Sequence, residues 1–355
     1  MIHVGFSLFD TEAQRIAALP LLEAGAIDAL EWTIDLGWQT PPSAWVAALL
    51  DFYASEGRLY GHGVGMSPTS ARLNDAWLAR FAGEPARYRH VTEHWGWSRA
   101  RGLVRGAPMP LPACDAVVEI TARALRALAD RARAPVGLEN LALAMSQDDV
   151  DAQPAMLARV LDATDGVLLL DLHNVWCQAV NFERDVRELV AQYPLERVRQ
   201  LHVAGGSWST IGGTQFRRDT HDALVPEEVM DLVAWAIPRC SALEAVILER
   251  IPDGLGDQDA WRAEFTRLAA VVRDAERAPR IAPPTPPPHA LSVATVVDVA
   301  RFQDAMIAAL LAGGDVRGAI LAHPGARPFR DEVSRWDARA IEVAVLLAAR
   351  WSVTE

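Results

Sequence analysis

Short apolar runs alternate with longer amphipathic segments over about the first 275 residues of the chain. The runs are almost continuously hydrophobic, which is typical of strands buried on both faces. We predict eight such strands, at residues 3–8, 29–34, 58–64, 90–96, 135–141, 166–172, 198–204 and 245–250. Between them lie segments whose apolar positions are spaced as on one helical face, such as residues 114–133 and 226–237.

The regular alternation of strand and helix predicts a parallel sheet of the α/β class, and eight units favour a (β/α)8 TIM barrel. A doubly wound open sheet is the alternative, although no glycine fingerprint follows the first strand. We expect residues 1–277 to form the barrel, as a metal-binding catalytic domain. A proline-rich linker at residues 278–292 and a small helical appendage at residues 293–355 are expected to follow it.

Composition excludes several classes of function. The net charge of −12 disfavours a nucleic-acid partner, because phosphate contacts need clustered basic side chains. No apolar run approaches the ~18 residues of a membrane span, and the N-terminal residues read as a strand rather than a signal peptide. Three widely spaced cysteines fit a reducing cytoplasm. The chain has no lysine, which excludes Schiff-base enzymes and ordinary P-loop enzymes, since both depend on that amine.

Residues able to bind metals follow the predicted strands at their carboxyl ends. The stretch GVLLLDLHNVW shows the pattern, because an apolar strand runs directly into Asp171, His173 and Asn174. In a barrel the carboxyl ends of all strands meet on one face, where active sites lie. The other candidates for that face are Glu31, His62, His94, Glu139, His202 and Glu249, with Asp219 and His221 in the loop after the seventh strand.

Carboxylates crowded on one rim repel each other and raise each other's pKa values unless cations neutralise them. A mixed set of histidines and carboxylates suits iron, manganese or zinc better than calcium or magnesium. The set is larger than one ion needs, so two or three ions are expected. Glu31 has an orienting or substrate-binding role as its alternative, and Asp222 a loop-capping role. His3 and His90 are expected to be structural.

Six motifs together carry a family resemblance over roughly residues 1–275. They are HGVGMS from His62, EN at Glu139–Asn140, LDLHNVWCQAVNFERD at 170–185, LHVAGG at 201–206, RDTHD at 218–222 and LER at 248–250. In order and spacing the chain resembles the multinuclear non-haem iron-dependent oxidases, whose best-known type is the methanobactin biosynthesis oxidase. The order and spacing of the six motifs together are far more specific than any one motif.

The resemblance implies a barrel that holds two or three iron ions and uses O₂ as co-substrate. It implies that Glu139 bridges two irons, and that Glu139, Asp171 and His202 form the catalytic core. The implied ligand sets are Asp171, His202 and Glu249 for one iron, His62 and His94 for the second, and Asn174, Asp219 and His221 for the third. His173 and Glu31 are additional candidates.

The resemblance further implies a substrate, a ribosomally made precursor peptide in which cysteine or another residue is oxidised, and a partner protein that presents the peptide. The chain departs from the family pattern at two positions. His173 stands where the family usually has Asn, and Gly206 stands where it usually has His. These changes leave the bridging role of Glu139 in place and put the specific reaction in question.

Two other functions remain open on the residues alone. A xylose-isomerase-like sugar isomerase or epimerase would need one manganese or zinc ion on Glu139, Asp171, His202 and Glu249, and a metal-dependent hydrolase is a related variant. The extra candidates His62, His94, Asp219 and His221 favour the oxidase. A peptide- or metal-binding protein without catalysis would have the same sequence pattern.

Overall fold

Eight parallel strands close into a barrel in the computed structural model, which describes residues 1–38, 40–100, 103–104, 107–284, 289–350 and 352–353. The barrel strands are β1 (His3–Leu8), β2 (Ala29–Thr33), β3 (Leu59–Gly63), β4 (Val91–His94), β5 (Val136–Glu139), β6 (Val167–Asp171), β7 (Val198–Ala204) and β8 (Ala245–Glu249). Each lies within a segment predicted from the hydrophobic runs. The predicted TIM barrel is therefore confirmed.

The strands follow one another around the barrel in chain order, with β8 pairing back onto β1. Their register places the polar strand ends at one level. Glu139 of β5 is opposite His94 of β4, and Asp171 of β6 is opposite His202 of β7. Two residue pairs beyond His202, Glu249 of β8 is opposite Ala204 of β7. Parallel pairing thus brings the candidate ligands to the same rim.

Helices follow the strands and cover the outside of the barrel. They are Glu12–Glu23, Ala44–Ser55, Asp75–Phe81, Asp115–Ala132, Gln147–Thr164, Leu172–Asn181, Val186–Val190, Glu227–Ala236 and Gln258–Glu276, with 3₁₀ turns at Leu195–Arg197, Ile237–Arg239 and Pro252–Gly254. Two of them confirm the helices predicted at residues 114–133 and 226–237. An antiparallel hairpin, Trp208–Ile211 and Thr214–Arg217, extends from the loop after β7, and Leu103–Val104 pairs with Ser352–Val353.

The C-terminal region is helical, as expected. Its helices are Val296–Ala312, Val316–Ala322, Arg330–Ser334 and Ala338–Ala348, with a 3₁₀ turn at Pro324–Phe329. It packs directly on the barrel, since the Phe302 ring contacts the Trp97 ring at a centroid distance of 6.1 Å. The Gln303 amide also donates to Ser70 Oγ at 2.9 Å.

The boundaries of the barrel, linker and appendage remain a prediction, and linker residues 285–288 lie outside the described residues. Within the described ranges, no helix combines the length and the apolar character needed to cross a membrane.

Candidate metal centre

The first group of donor atoms lies at the ends of β3, β4 and β5. Glu139 Oε2 is 3.3 Å from His62 Nε2 and 3.1 Å from His94 Nε2. The two imidazole Nε2 atoms are 3.3 Å apart. His62 Nδ1 contacts Thr92 Oγ1 at 2.9 Å, which fixes the ring with Nε2 directed at the glutamate. These three side chains, which we call group 1, have donor atoms close enough to hold one metal ion.

Group 2 comprises Glu139, Asp171, His202 and Glu249. His202 Nδ1 lies 3.3 Å from Glu139 Oε1 and 3.0 Å from Glu249 Oε2. On its other side, His202 Nε2 contacts Glu31 Oε2 at 2.8 Å. Glu31 therefore lies behind His202 and outside the donor groups, in the position of an orienting carboxylate. Ser7 Oγ donates to the other oxygen of Glu31 at 2.8 Å.

Group 3 comprises Asp171, Asp219 and His221. His221 Nε2 is 2.7 Å from Asp219 Oδ1, and its Nδ1 is 3.4 Å from Glu249 Oε1. His173 approaches the same carboxylate, with Nδ1 2.9 Å from Asp219 Oδ1. His173 thus contacts a member of group 3 without belonging to the group itself.

The junction between β6 and the helix Leu172–Asn181 positions both Asp171 and Asn174. The helix begins directly after the strand, and Asp171 caps it by accepting a hydrogen bond from the Asn174 backbone N–H at 2.7 Å. Asn140 pairs with the Asp171 backbone through both ends of its amide, at 2.8 and 3.1 Å. Asn174 Nδ2 donates to the Asn140 carbonyl at 3.0 Å, so its Oδ1 is free to face the centre.

Several buried polar atoms at the centre make no hydrogen bond of good geometry among the residues that the structure describes, although Glu139 Oε2 and His202 Nδ1 have polar neighbours at 3.1 and 3.0 Å. They are Glu139 Oε2, Asp171 Oδ2, Asn174 Oδ1 and His202 Nδ1. An unsatisfied buried polar atom costs roughly 1–3 kcal/mol, so four of them at one place call for an explanation. All four can donate a lone pair to a cation, and a bound metal would satisfy them.

Burial and the close spacing of charged groups also shift the pKa values of the side chains at the centre. Burial raises the pKa of Asp171 well above its usual range, and the charges of Asp219 and Glu139 add to the effect. Burial opposes ionisation of Glu139 too, but His94, His202 and His62 together lower its pKa well below the usual range. Burial lowers the pKa of His221, yet Asp219 and Glu249 outweigh it and raise the value to about 10. The carboxylates thus favour positive charge at the centre, which either protons on the histidines or a bound cation can supply.

A pocket of about 200 Å³ opens directly onto the three groups. Its floor includes His94, Glu139, Asn174, Asp219 and His221, and its walls are mostly apolar. The wall residues include Pro108, Leu141, Leu143, Phe216, Val343 and Leu347. Sequence reasoning missed this wall, because plain apolar residues distant along the chain carry no signal that they border a site. Arg217 also lines the pocket, and its guanidinium stacks on Trp176 at 4.8 Å.

The remaining histidine and acidic candidates have local partners. His90 is buried immediately before β4, where it contacts Gln200 Oε1 at 2.8 Å, in line with a structural role. Asp222 accepts hydrogen bonds from Ser207 and Thr220 at 2.8 and 2.6 Å, in line with loop capping.

Residues 38–273 match the family model for the RiPP precursor modification enzyme MbnB/TglH/ChrH, where RiPP denotes a ribosomally synthesised and post-translationally modified peptide. The chain belongs to this family. A UPF0276 protein from Caulobacter vibrioides is 30% identical over 213 residues, which cover 58% of this chain and 75% of that protein. A UPF0276 protein from Bordetella bronchiseptica is 32% identical over 242 residues, which cover 65% of this chain and 80% of that protein.

Solved structures similar to this chain include other barrels. D-psicose 3-epimerase from Clostridium cellulolyticum aligns with a TM-score of 0.48 and 11% identity, over 78% of this chain and 100% of that one. A xylose isomerase-like TIM barrel protein from Mycobacterium smegmatis aligns with a TM-score of 0.47 and 14% identity, over 78% of this chain and 98% of that one. Similarities this low have no bearing on activity.

Proposed function

We propose that this member of the family is an O₂-dependent oxidase with two or three iron ions, which modifies cysteine or another residue in a precursor peptide. The observation that carries the proposal is the overlap of the three donor groups. Glu139 belongs to groups 1 and 2, and Asp171 belongs to groups 2 and 3. Shared carboxylates are the arrangement that lets neighbouring cations lie close, because a bridging negative charge reduces their mutual repulsion.

The chemistry of the donors fits iron. Groups 1 to 3 combine imidazole nitrogens with carboxylate oxygens, a set that suits iron, manganese or zinc. The two oxygens of Glu139 already face different groups, since Oε2 lies by His62 and His94 while Oε1 lies by His202. Asn174 Oδ1, buried and without a partner among the described residues, is the natural fourth donor for group 3. When bound, iron would supply the redox chemistry that activates O₂ and holds a substrate thiolate.

The residues around the donors prepare the site for that chemistry. Glu31 accepts the Nε2 proton of His202, which leaves the Nδ1 lone pair directed into group 2. Thr92 fixes the His62 ring in the same manner. The apolar walls of the pocket exclude water from a reacting side chain, and the barrel strands hold the donors rigidly.

The substrate class can be tested with a cysteine-bearing peptide, chosen by searching the genes that neighbour this one for a short precursor. Protein loaded with Fe(II) is mixed with the peptide and O₂, and the peptide mass is followed. We expect a mass change that requires both O₂ and iron. Glu139→Gln should abolish it, whereas Glu93→Gln, which removes a buried carboxylate outside the three donor groups, should retain it. Turnover of a ketose with a single manganese or zinc ion, and an unchanged peptide, would instead establish the sugar isomerase.

A further inference from the structure

The helix Ala338–Ala348 in the C-terminal region borders the pocket above the donor groups. Val343 and Leu347, one helical turn apart, both line the pocket. Val343 is buried, whereas the neighbouring Leu346 is 50% exposed and is not part of the pocket lining. The helix therefore turns one apolar edge toward the same cavity that contains Glu139 and Asp219.

This helix is fixed to the barrel by specific contacts at its N-terminus. The Asp337 backbone N–H donates to the Met145 carbonyl at 2.6 Å. Arg339 Nη2 donates to the Asn181 carbonyl at 3.1 Å, and its guanidinium lies 5.8 Å from the ring centroid of Phe216, another pocket residue. The wall is therefore a positioned part of the site.

The helix lies outside the segment that carries the family match, which ends at residue 273. The donor groups, from His62 to Glu249, all lie inside that segment. The chain thus combines a metal centre within the family segment with a pocket wall from beyond it. Such a division allows substrate choice to vary while the chemistry of the metal centre stays the same.

We propose that the helix Ala338–Ala348 determines peptide specificity, with Val343 and Leu347 receiving an apolar side chain next to the modified residue. The inference rests on the proposed function, because it takes the pocket to be the peptide site. The cavity of about 200 Å³ is below the roughly 300–1,000 Å³ of typical small-molecule sites, so it accepts one or two side chains. The apolar walls favour an aliphatic neighbour over a polar one.

Two capped tripeptides, Gly-Cys-Gly and Leu-Cys-Leu, serve as probes. Their affinities are measured by anaerobic calorimetry on the full iron-loaded chain, and the thiolate-to-iron absorption band is recorded in parallel. We expect the leucine peptide to bind about tenfold more tightly to the unsubstituted protein, the discrimination typical of an apolar pocket. Leu347→Ala should lose that preference, and Leu347→Trp should reject the leucine peptide while still binding the glycine one.

Leu346→Ala is the matched control, since it removes the same atoms from the same helix on the solvent side, and it should keep the preference. Unfolding midpoints and iron content establish that each variant is folded and loaded. Equal affinities for the two peptides in the unsubstituted protein, or an unchanged preference in both Leu347 variants, would overturn the inference. Absence of the thiolate band with preference retained would contradict the oxidase proposal and leave the wall supported.

Discussion

Asp171→Asn should separate metal binding from folding stability. Asp171 is fully buried, belongs to two donor groups and has one carboxylate oxygen without a hydrogen bond among the described residues. Asparagine keeps the oxygen that caps the helix Leu172–Asn181, because Asn and Asp are equally good caps. The substitution therefore removes mainly the negative charge. We expect it to stabilise the metal-free protein and to abolish metal binding at groups 2 and 3.

The size of the effect follows from the spacing of the donors. Donor atoms within a group lie no more than 4.8 Å apart. Two like unit charges at that distance repel by about 3.5 kcal/mol at an effective dielectric of 20. Neighbouring carboxylates raise the pKa values of His202 and His221, so positive charge on these imidazoles offsets part of the repulsion in the metal-free protein. We therefore expect Asp171→Asn to raise the free energy of unfolding of the metal-free protein by about 1–3 kcal/mol at pH 8.

With metal bound, the unsubstituted protein should be more stable than Asp171→Asn. Each occupied site adds about 2.7 kcal/mol to the free energy of unfolding when the free metal concentration is 100 times the dissociation constant. The variant lacks that gain at the two groups that contain Asp171. The assay is urea unfolding with chelator and with Fe(II) under anaerobic conditions, together with elemental analysis. Glu93→Gln is the control, because burial and Asp35 raise the pKa of Glu93 too, yet it belongs to none of the three groups. Loss of several kcal/mol in the metal-free variant, with metal content unchanged, would refute the reasoning.

Three further predictions concern other residues. Burial lowers the pKa of His90 to about 4 in the folded protein. Between about pH 6.5 and 4 the unfolded chain therefore binds more protons than the folded one, and the free energy of unfolding falls as the pH drops through that window. His90→Gln should remove about 3 kcal/mol of the acid loss, measured by urea unfolding at pH 7 and pH 4, and an identical loss in the variant would count against it. A Cβ at Gly206 would lie 2.2 Å from the Arg218 carbonyl oxygen and 3.1 Å from His173 Cε1. Gly206→Ala should therefore lower the free energy of unfolding by about 1–3 kcal/mol and weaken metal binding at group 3. Unchanged unfolding and metal content would contradict this. All three cysteines are buried, and burial raises the pKa of each, so a thiol reagent should label them only on unfolding; rapid labelling of the native protein would disagree.

Much of the barrel could be predicted because its signals are local. A strand buried on both faces, such as Val167–Asp171, appears in the sequence as an unbroken apolar run. Parallel barrels gather all strand ends on one face, so Glu139, Asp171 and His202 could be placed near one another without any knowledge of packing. The grouping of individual ligands followed from the family resemblance rather than from spacing. In the geometry His62 and His94 lie with Glu139, and Asp219 and His221 lie with Asp171, where the resemblance implied Asn174.

The pocket wall could not be predicted, because it depends on contacts between distant segments. Nothing local distinguishes Val343 or Leu347 from the other apolar residues of their helix. The abrupt change from strand to helix at Asp171 was also missed, since the apolar run continues through Leu172. Glu31 was ambiguous in the sequence, and only its contact with His202 Nε2 places it behind the donor group.

Iron content and spin state are the most direct test of a multinuclear iron centre in this barrel. The protein is purified without oxygen, analysed for metals, and examined by Mössbauer and EPR spectroscopy before and after exposure to air, with Glu139→Gln alongside. We expect two or three irons per chain and a coupled Fe(II)/Fe(III) signal that the variant lacks. A single manganese or zinc ion, with no coupled iron signal after reconstitution with iron, would contradict it.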